Sequence, residues 1–259
     1  MPTKKSLGQH WLRDPIILAE IASEADLNSS DTVLEIGPGL GTLTSHLLKR
    51  SKEVIAVELD DDLARKLPGQ FPGKKLKVVN EDILDFDLSV LPKNYKVVAN
   101  VPYYITSKII KKLMSSQNPP SMIVILIQKE VAERLVAKND DRSILSISAE
   151  IYAEAKLGVL VPAEYFTPPP KVDSRVIILN RRPESLIGSE DEADFFRIVK
   201  AGFSAKRKKI KTSLAGGLGL SKTEIGELLN RAEINPELRA EKLSINDWKK
   251  LLKIYQEGR

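Results

Sequence analysis

Asn100, Val101, Pro102 and Tyr103 stand at the end of the apolar run YKVVAN (95–100), where an ordinary turn would serve. They supply an amide oxygen, a backbone carbonyl stiffened by the following proline, and an aromatic face. The N6 lone pair of adenine is delocalised into its ring and is a poor nucleophile. Two acceptors set on its two N–H bonds favour a more tetrahedral nitrogen, whose lone pair can turn towards an electrophile. Tyr103 offers a surface on which the base can stack, worth about 1–3 kcal/mol. Such a site positions its reactants rather than attacking them. It needs no Ser, Cys or His catalyst, and the chain has no cysteine and only two histidines. The plain alternative is a strand-end turn whose Tyr103 packs into the core. For Tyr104, packing is the expected role.

Upstream, VLEIGPGLGTLT sets Gly37, Gly39 and Gly41 straight after a strand-like run and ahead of a helix-like one. Glycines there permit a tight turn and close backbone approach to a ligand. A dinucleotide loop, G-x-G-x-x-G, would need its third glycine at position 42, which is Thr42. The observed G-x-G-x-G, preceded by Glu35, is the pattern of methyltransferases that use S-adenosyl-L-methionine. Taken singly it could be a bland glycine turn. Glu58, however, ends the next strand-like run, where a carboxylate can accept both hydroxyls of a ribose. Asp82, in NEDILDF, follows the third run, where an acceptor can meet an adenine amino group. Ligands of open α/β sheets bind at such carboxyl ends. With the adjoining Leu59 and Ile83, these residues form the expected S-adenosylmethionine shell.

The elements that must position them are legible as TVLEI (32–36), EVIAVEL (53–59), LKVVN (76–80), YKVVAN and MIVILIQ (122–128). These Val/Ile-rich runs read as strands buried on both faces. Helix-like TLTSHLLKR, DDLARKL and SKIIKKLM lie between them, which predicts a parallel α/β sheet. IYAEAKLGVLVP and SRVIILN read as two more strands, joined by the loop AEYFTPPPKVD without a helix, and so as an antiparallel pair at one edge. Beyond Asn180 the texture turns linker-like and then helical. The expected division is a catalytic domain over 1–184 and a small all-α domain over 185–259.

The 259 residues, 42% hydrophobic and 29% charged, suit an intracellular globular protein. The start MPTKKSLGQHWL lacks the apolar core of a secretory signal. No membrane span is expected. His10 and His46 make no metal motif, and no metal is expected. The net charge of +5 leans modestly towards an anionic partner.

KSLGQHWL, VLEIGPGLGTLT, VELDDDL, NEDILDFD, NVPYYIT, QKEVAERL and FTPPPKVDSRVIIL follow in an order that resembles the KsgA/Erm family of rRNA adenine N6-dimethyltransferases. The resemblance implies a class I, Rossmann-like seven-stranded sheet followed by a small helical domain. It implies S-adenosylmethionine as donor and N6,N6-dimethyladenosine in rRNA as product. It adds His10 and Leu12 to Gly37, Glu58, Asp82 and Asn100 in the cofactor shell. The family often has GQNFL, so His10 stands where an Asn would contact the cofactor. Phe166, in FTPPPKVDS, is the candidate for the other face of the base; the bland reading is packing. Lys206, Arg207, Lys208, Lys209 and Lys211 are the expected RNA-binding edge beside the cleft, against the alternative of a solvated helix. PPPKVDSRVI and INPELRAEKLSINDW look like the KsgA branch. The expected substrate is therefore two adjacent adenines in the 3′-terminal hairpin of small-subunit rRNA, or of a small-subunit precursor. A cytoplasmic monomer is expected. Two alternatives stay open: an Erm-type enzyme acting on one large-subunit adenine, and an assembly factor whose docking outweighs its catalysis.

Overall fold

The computed structural model describes residues 10–137 and 141–258, so Lys5–Gln9 of the KSLGQHWL motif lie outside the described residues. By contacts the chain divides into two compact units. One comprises the described residues of Met1–Glu133 and Glu154–Arg181; the other comprises those of Arg134–Ala153 and Arg182–Arg259.

In the first unit a short strand β1 (Trp11–Leu12) leads into helix α1 (Pro15–Ser23). Asp14 caps that helix, accepting from the amides of Ile16 and Ile17 at 2.9 and 3.0 Å, with Pro15 at the first helical position. Then alternate β2 (Thr32–Ile36), α2 (Thr42–Leu47), β3 (Glu53–Glu58), α3 (Asp61–Gln70), β4 (Leu76–Asn80), β5 (Lys96–Asn100), α4 (Thr106–Met114) and β6 (Met122–Gln128). Helix α5 (Lys129–Val136) follows, then α6 (Ile144–Tyr152), β7 (Ala153–Val161), β8 (Phe166–Thr167) and β9 (Ser174–Arg181).

Seven strands form one sheet in the order β4-β3-β2-β5-β6-β9-β7. The first five are parallel, and β9 inserts antiparallel against β6. All five residues of β2 are buried, as expected of a parallel strand covered on both faces. Val33, Val98, Val124 and Val176 from four neighbouring strands meet Leu18 and Ile21 of α1 in one apolar cluster. After β2 the chain turns to β3 on one side and later places β5 on the other. That reversal opens a crevice at the carboxyl ends of β2 and β5.

Two stretches differ from the sequence reading. IYAEAKLGVLVP does not begin as a strand: Ile151 and Tyr152 close helix α6, and β7 starts at Ala153. β-branched, apolar ILSISAEIY carries little helical periodicity, but Ser143 and Ser146 form a reciprocal cap that starts it. The expected loop AEYFTPPPKVD contains β8, which pairs antiparallel with β1, Leu12 opposite Phe166 and Trp11 opposite Thr167.

The second unit is helical. Besides α6 it holds α7 (Glu192–Phe203), α8 (Ile210–Leu218), α9 (Lys222–Arg231) and α10 (Ile245–Glu257) around a core that includes Phe195, Ile198 and Trp248. A Cβ on Gly217 would fall 2.5 Å from the Ala201 backbone, so α8 crosses α7 closely there. The expected cut at 184/185 assumes contiguous domains. In the contact division the change falls after Arg181, and α6 joins the helical unit. The Arg182 amide donates to Tyr152 O and the Leu186 amide to Ile151 O, at 2.8 and 2.9 Å.

Candidate active site

A cleft of about 290 Å³ opens at the reversal between β2 and β5. His10, Leu12, Gly37, Gly39, Glu58, Leu59, Asp82 and Ile83 all line it, together with Asn100, Val101, Pro102, Tyr103 and Phe166. Residues spread over 157 positions of sequence thus converge because their strands end side by side.

Gly41 is the exception. It starts α2 with φ 79°, and a Cβ there would meet Leu67 Cδ1 at 2.7 Å and Phe71 Cε2 at 3.0 Å. It is glycine because of the left-handed backbone and the close approach of α3, and it is not among the cleft-lining residues. Gly39 faces the other way. With φ 57°, its virtual Cβ would lie 2.4 Å from Trp11 Cζ3. The indole of Trp11 therefore lies against the glycine loop, a contact that reading GQHWL as a motif did not reveal.

Glu58 is 6% exposed and holds the loop in place. One carboxylate oxygen accepts from the Gly39 amide at 3.0 Å, the other from the Asp60 amide at 2.9 Å. Burial raises its pKa, and those two backbone bonds work against the rise. Each oxygen keeps one lone-pair direction beyond the bond it already accepts. Asp82 spends one oxygen on the Leu84 amide at 2.8 Å. The Asn100 side chain holds no hydrogen bond among the described residues, and no backbone amide donates to Val101 O.

Tyr103 is fixed at both ends. Its hydroxyl lies 2.6 Å from Ser174 Oγ at the start of β9, and its ring is stacked with His10, centroids 6.1 Å apart. Burial raises the phenol pKa. His10 Nδ1 sits 2.7 Å from Pro168 O. A carbonyl only accepts, so Nδ1 carries the hydrogen of that contact. Leu12 buries its side chain, while its carbonyl accepts from Thr42 Oγ1 at 3.1 Å. Phe166 is 3% exposed and joins the core cluster, so it forms a fixed wall of the cleft. Tyr104 does not pack as expected: it is 62% exposed at the cleft rim.

Glu35, at the cleft floor, is 1% exposed, and neither carboxyl oxygen has a hydrogen-bond partner among the described residues. Burial pushes its pKa up to about 8; Thr44 nearby offsets part of this, and Glu58 adds to it. The Thr44 hydroxyl is also buried and does not reach hydrogen-bond geometry. Burial thus favours the neutral form of this carboxyl.

In the helical unit Lys206–Lys208 of the basic run form a turn, and only Lys211 is helical. Lys206, Arg207 and Lys208 lie exposed between α7 and α8. Lys209 precedes α8 and is paired with Glu237, while the Lys211 ammonium lies over Gly226 of α9. Three of the five expected cations thus present themselves to solvent without an ion pair among the described residues. No group of three or more His, Cys, Asp or Glu among the described residues could hold a metal ion. No helix among them is long and apolar enough to cross a membrane.

The family described as ribosomal RNA adenine dimethylase matches residues 2–257 of the chain. A protein of Dehalococcoides mccartyi named ribosomal RNA small subunit methyltransferase A is 42% identical over 98% of this chain and 89% of its own. One of the same name from Fusobacterium nucleatum is 41% identical over 99% and 98%. Among solved structures, a dimethyladenosine transferase from Plasmodium falciparum superposes with a TM-score of 0.81 at 30% identity, covering 96% of this chain and 98% of that one. The 23S rRNA methyltransferase ErmE gives 0.77 at 27% identity, covering 95% and 99%.

Proposed function

Since the chain belongs to the ribosomal RNA adenine dimethylase family, we propose that it dimethylates N6 of two adjacent adenines in the 3′-terminal hairpin of small-subunit rRNA, with S-adenosylmethionine as donor. One observation carries the reading. Among the described residues, the Asn100 side-chain amide and the Val101 carbonyl hold no hydrogen bond in the cleft that also holds Glu58 and Asp82. That donor set fits an adenosyl group: lone pairs on Glu58 for a ribose diol, and the second oxygen of Asp82 for an adenine amine. Leu59 and Ile83 give that amine's ring apolar walls.

When bound, S-adenosylmethionine supplies an electrophilic methyl group on a sulfonium. The chain's residues act on the other reactant. Asn100 Oδ1 and Val101 O accept the two N6–H bonds of the target adenine and turn its lone pair out of the ring plane. Pro102 keeps that carbonyl fixed. Tyr103, immobilised by Ser174, stacks on the base, and Phe166 closes the opposite wall. His10 and Leu12 complete the cofactor side. The reaction is one of positioning. Relatives named for the small subunit are 39–43% identical over nearly the whole chain, against 27% for the large-subunit enzyme, which favours the small-subunit substrate. A cytoplasmic monomer fits that task.

Labelled methyl transfer to unmethylated small subunits, and separately to unmethylated large-subunit rRNA, tests the reading. Label in N6,N6-dimethyladenosine of the small subunit is expected; label in large-subunit RNA alone overturns it. Glu58→Ala should weaken S-adenosylmethionine binding by about 10² or more, since hydrogen bonds to a charged acceptor are worth about 1.5–3 kcal/mol each. It should also lower stability, because the Gly39 and Asp60 amides lose their acceptor. Unchanged affinity in a calorimetric titration would remove Glu58 from the site.

The exposed basic turn is the proposed phosphate grip. Replacing Lys206, Arg207 and Lys208 together by Ala should flatten the plot of log K against log[salt] for RNA binding by roughly 2–3. Lys209→Ala should do less, because that cation already has Glu237. An unchanged slope in the triple variant would exclude the turn from the RNA surface.

A further inference from the structure

Tyr104 is 62% exposed, the most exposed tyrosine among the large apolar side chains left in water. A single exposed aromatic is ordinary by itself. This one lies on the cleft rim, in the same one-turn 3₁₀ helix, Tyr103–Ile105, that carries the stacking residue of the site. Successive side chains of a 3₁₀ turn point about 120° apart. Tyr103 is therefore tied back to Ser174, while Tyr104 is held outwards by the same turn. Its ring has no aromatic neighbour and its hydroxyl no hydrogen bond among the described residues. Lys108, one helical turn further on, is exposed, lines the same cleft and has no ion pair among the described residues.

We propose that Tyr104 is a second stacking platform, which holds the base adjoining the target adenine while Lys108 meets the phosphate between them. This rests on the RNA reading given above and names a specificity-determining contact within it. A base that enters the cleft leaves its neighbour with one bare face, and extrusion carries an unstacking penalty. An aromatic ring fixed just outside the cleft replaces the lost partner. It does so for any base, since every base has a π-face. In a substrate with two adjacent adenines, the neighbour is the second target, so the same contact keeps it at the cleft mouth. The occupant is one unpaired nucleotide of the same strand.

The test compares wild type, Tyr104→Ala and Tyr104→Phe. With unmethylated small subunits, Tyr104→Ala should raise KM for the subunit about 5- to 100-fold. Its affinity for S-adenosylmethionine should match wild type, and Tyr104→Phe should restore KM to within about twofold. A hairpin RNA with 2-aminopurine beside the target adenine gives a readout without turnover. The probe should be quenched when bound to wild type and to Tyr104→Phe, and bright on Tyr104→Ala. If wild type methylates small subunits while Tyr104→Ala shows the same KM and the same quenching, the platform is refuted and the RNA reading stands. If wild type transfers no methyl group to RNA, both fall together.

Discussion

Asn100→Ala should cut methyl transfer by about 10²–10³-fold, the range seen when one preorganised hydrogen-bonding group is removed from a reacting centre. The side chain sits at the carboxyl end of β5 with no hydrogen bond among the described residues, so its removal leaves no buried group stranded. Stability should hardly change. Cofactor affinity should fall far less than methyl transfer does, because Asn100 is only one member of the cofactor shell and Glu58 and Asp82 stand on other strand ends. The loss should appear in kcat, since the amide acts on the reacting nitrogen. Asn100→Asp keeps an acceptor oxygen and should retain more activity than Ala. Single-turnover rates for the three proteins check this ordering; equal rates for wild type and Ala would remove Asn100 from the reaction. The Ala variant also separates catalysis from docking. It should still bind small subunits, and cells that depend on it should resemble a deletion strain only if methylation is the main task.

Glu35→Gln should make the ligand-free protein more stable than wild type at pH 8, with the gain shrinking towards pH 5. The buried carboxyl has its pKa raised from the usual 4.5 to about 8. Below about pH 4.5 it is protonated folded or unfolded. Above that, the unfolded chain releases the proton while the folded chain keeps it. Unfolding is then coupled to proton release, so the folded state loses about 1.4 kcal/mol of stability per pH unit until ionisation near pH 8. Glutamine is neutral throughout and removes that slope. Urea unfolding of both proteins at pH 5, 6.5 and 8 measures it. Parallel curves would mean that Glu35 is already ionised in the folded protein.

How much of this was legible in the sequence depends on the range of the interactions involved. The five parallel strands were plain because strands buried on both faces must be apolar throughout, and each sat where its Val/Ile run lies. The convergence of Glu58, Asp82 and Asn100 on one cleft was legible because a parallel sheet puts its strand ends on one edge. What stayed hidden depends on partners far away in the chain. Strands of two residues, β1 and β8, have no periodicity to detect. The paired state of Lys209 depends on Glu237 and the lie of Lys211 on Gly226. Gly41 looks like its companions in the motif, and only the fold brings Leu67 and Phe71 to where its Cβ would be. Tyr104 failed in the opposite sense. An aromatic residue beside a buried strand suggests burial, yet the tight turn that follows Pro102 leaves it in water.

The pairing of Trp11 and Leu12 with Phe166 and Thr167 also bears on the order in which this pocket can be assembled. A chain made from its N-terminus exposes the first strand long before the second exists. At about 5–20 residues per second, the roughly 155 residues between them take on the order of 10–30 s to synthesise. Through that interval the segment bearing His10 has no strand to pair with, and Tyr103 waits for Ser174. The growing chain thus carries its glycine loop and its acceptors early but cannot close the pocket around them. The complete pocket therefore exists only once the chain has been made past Ser174.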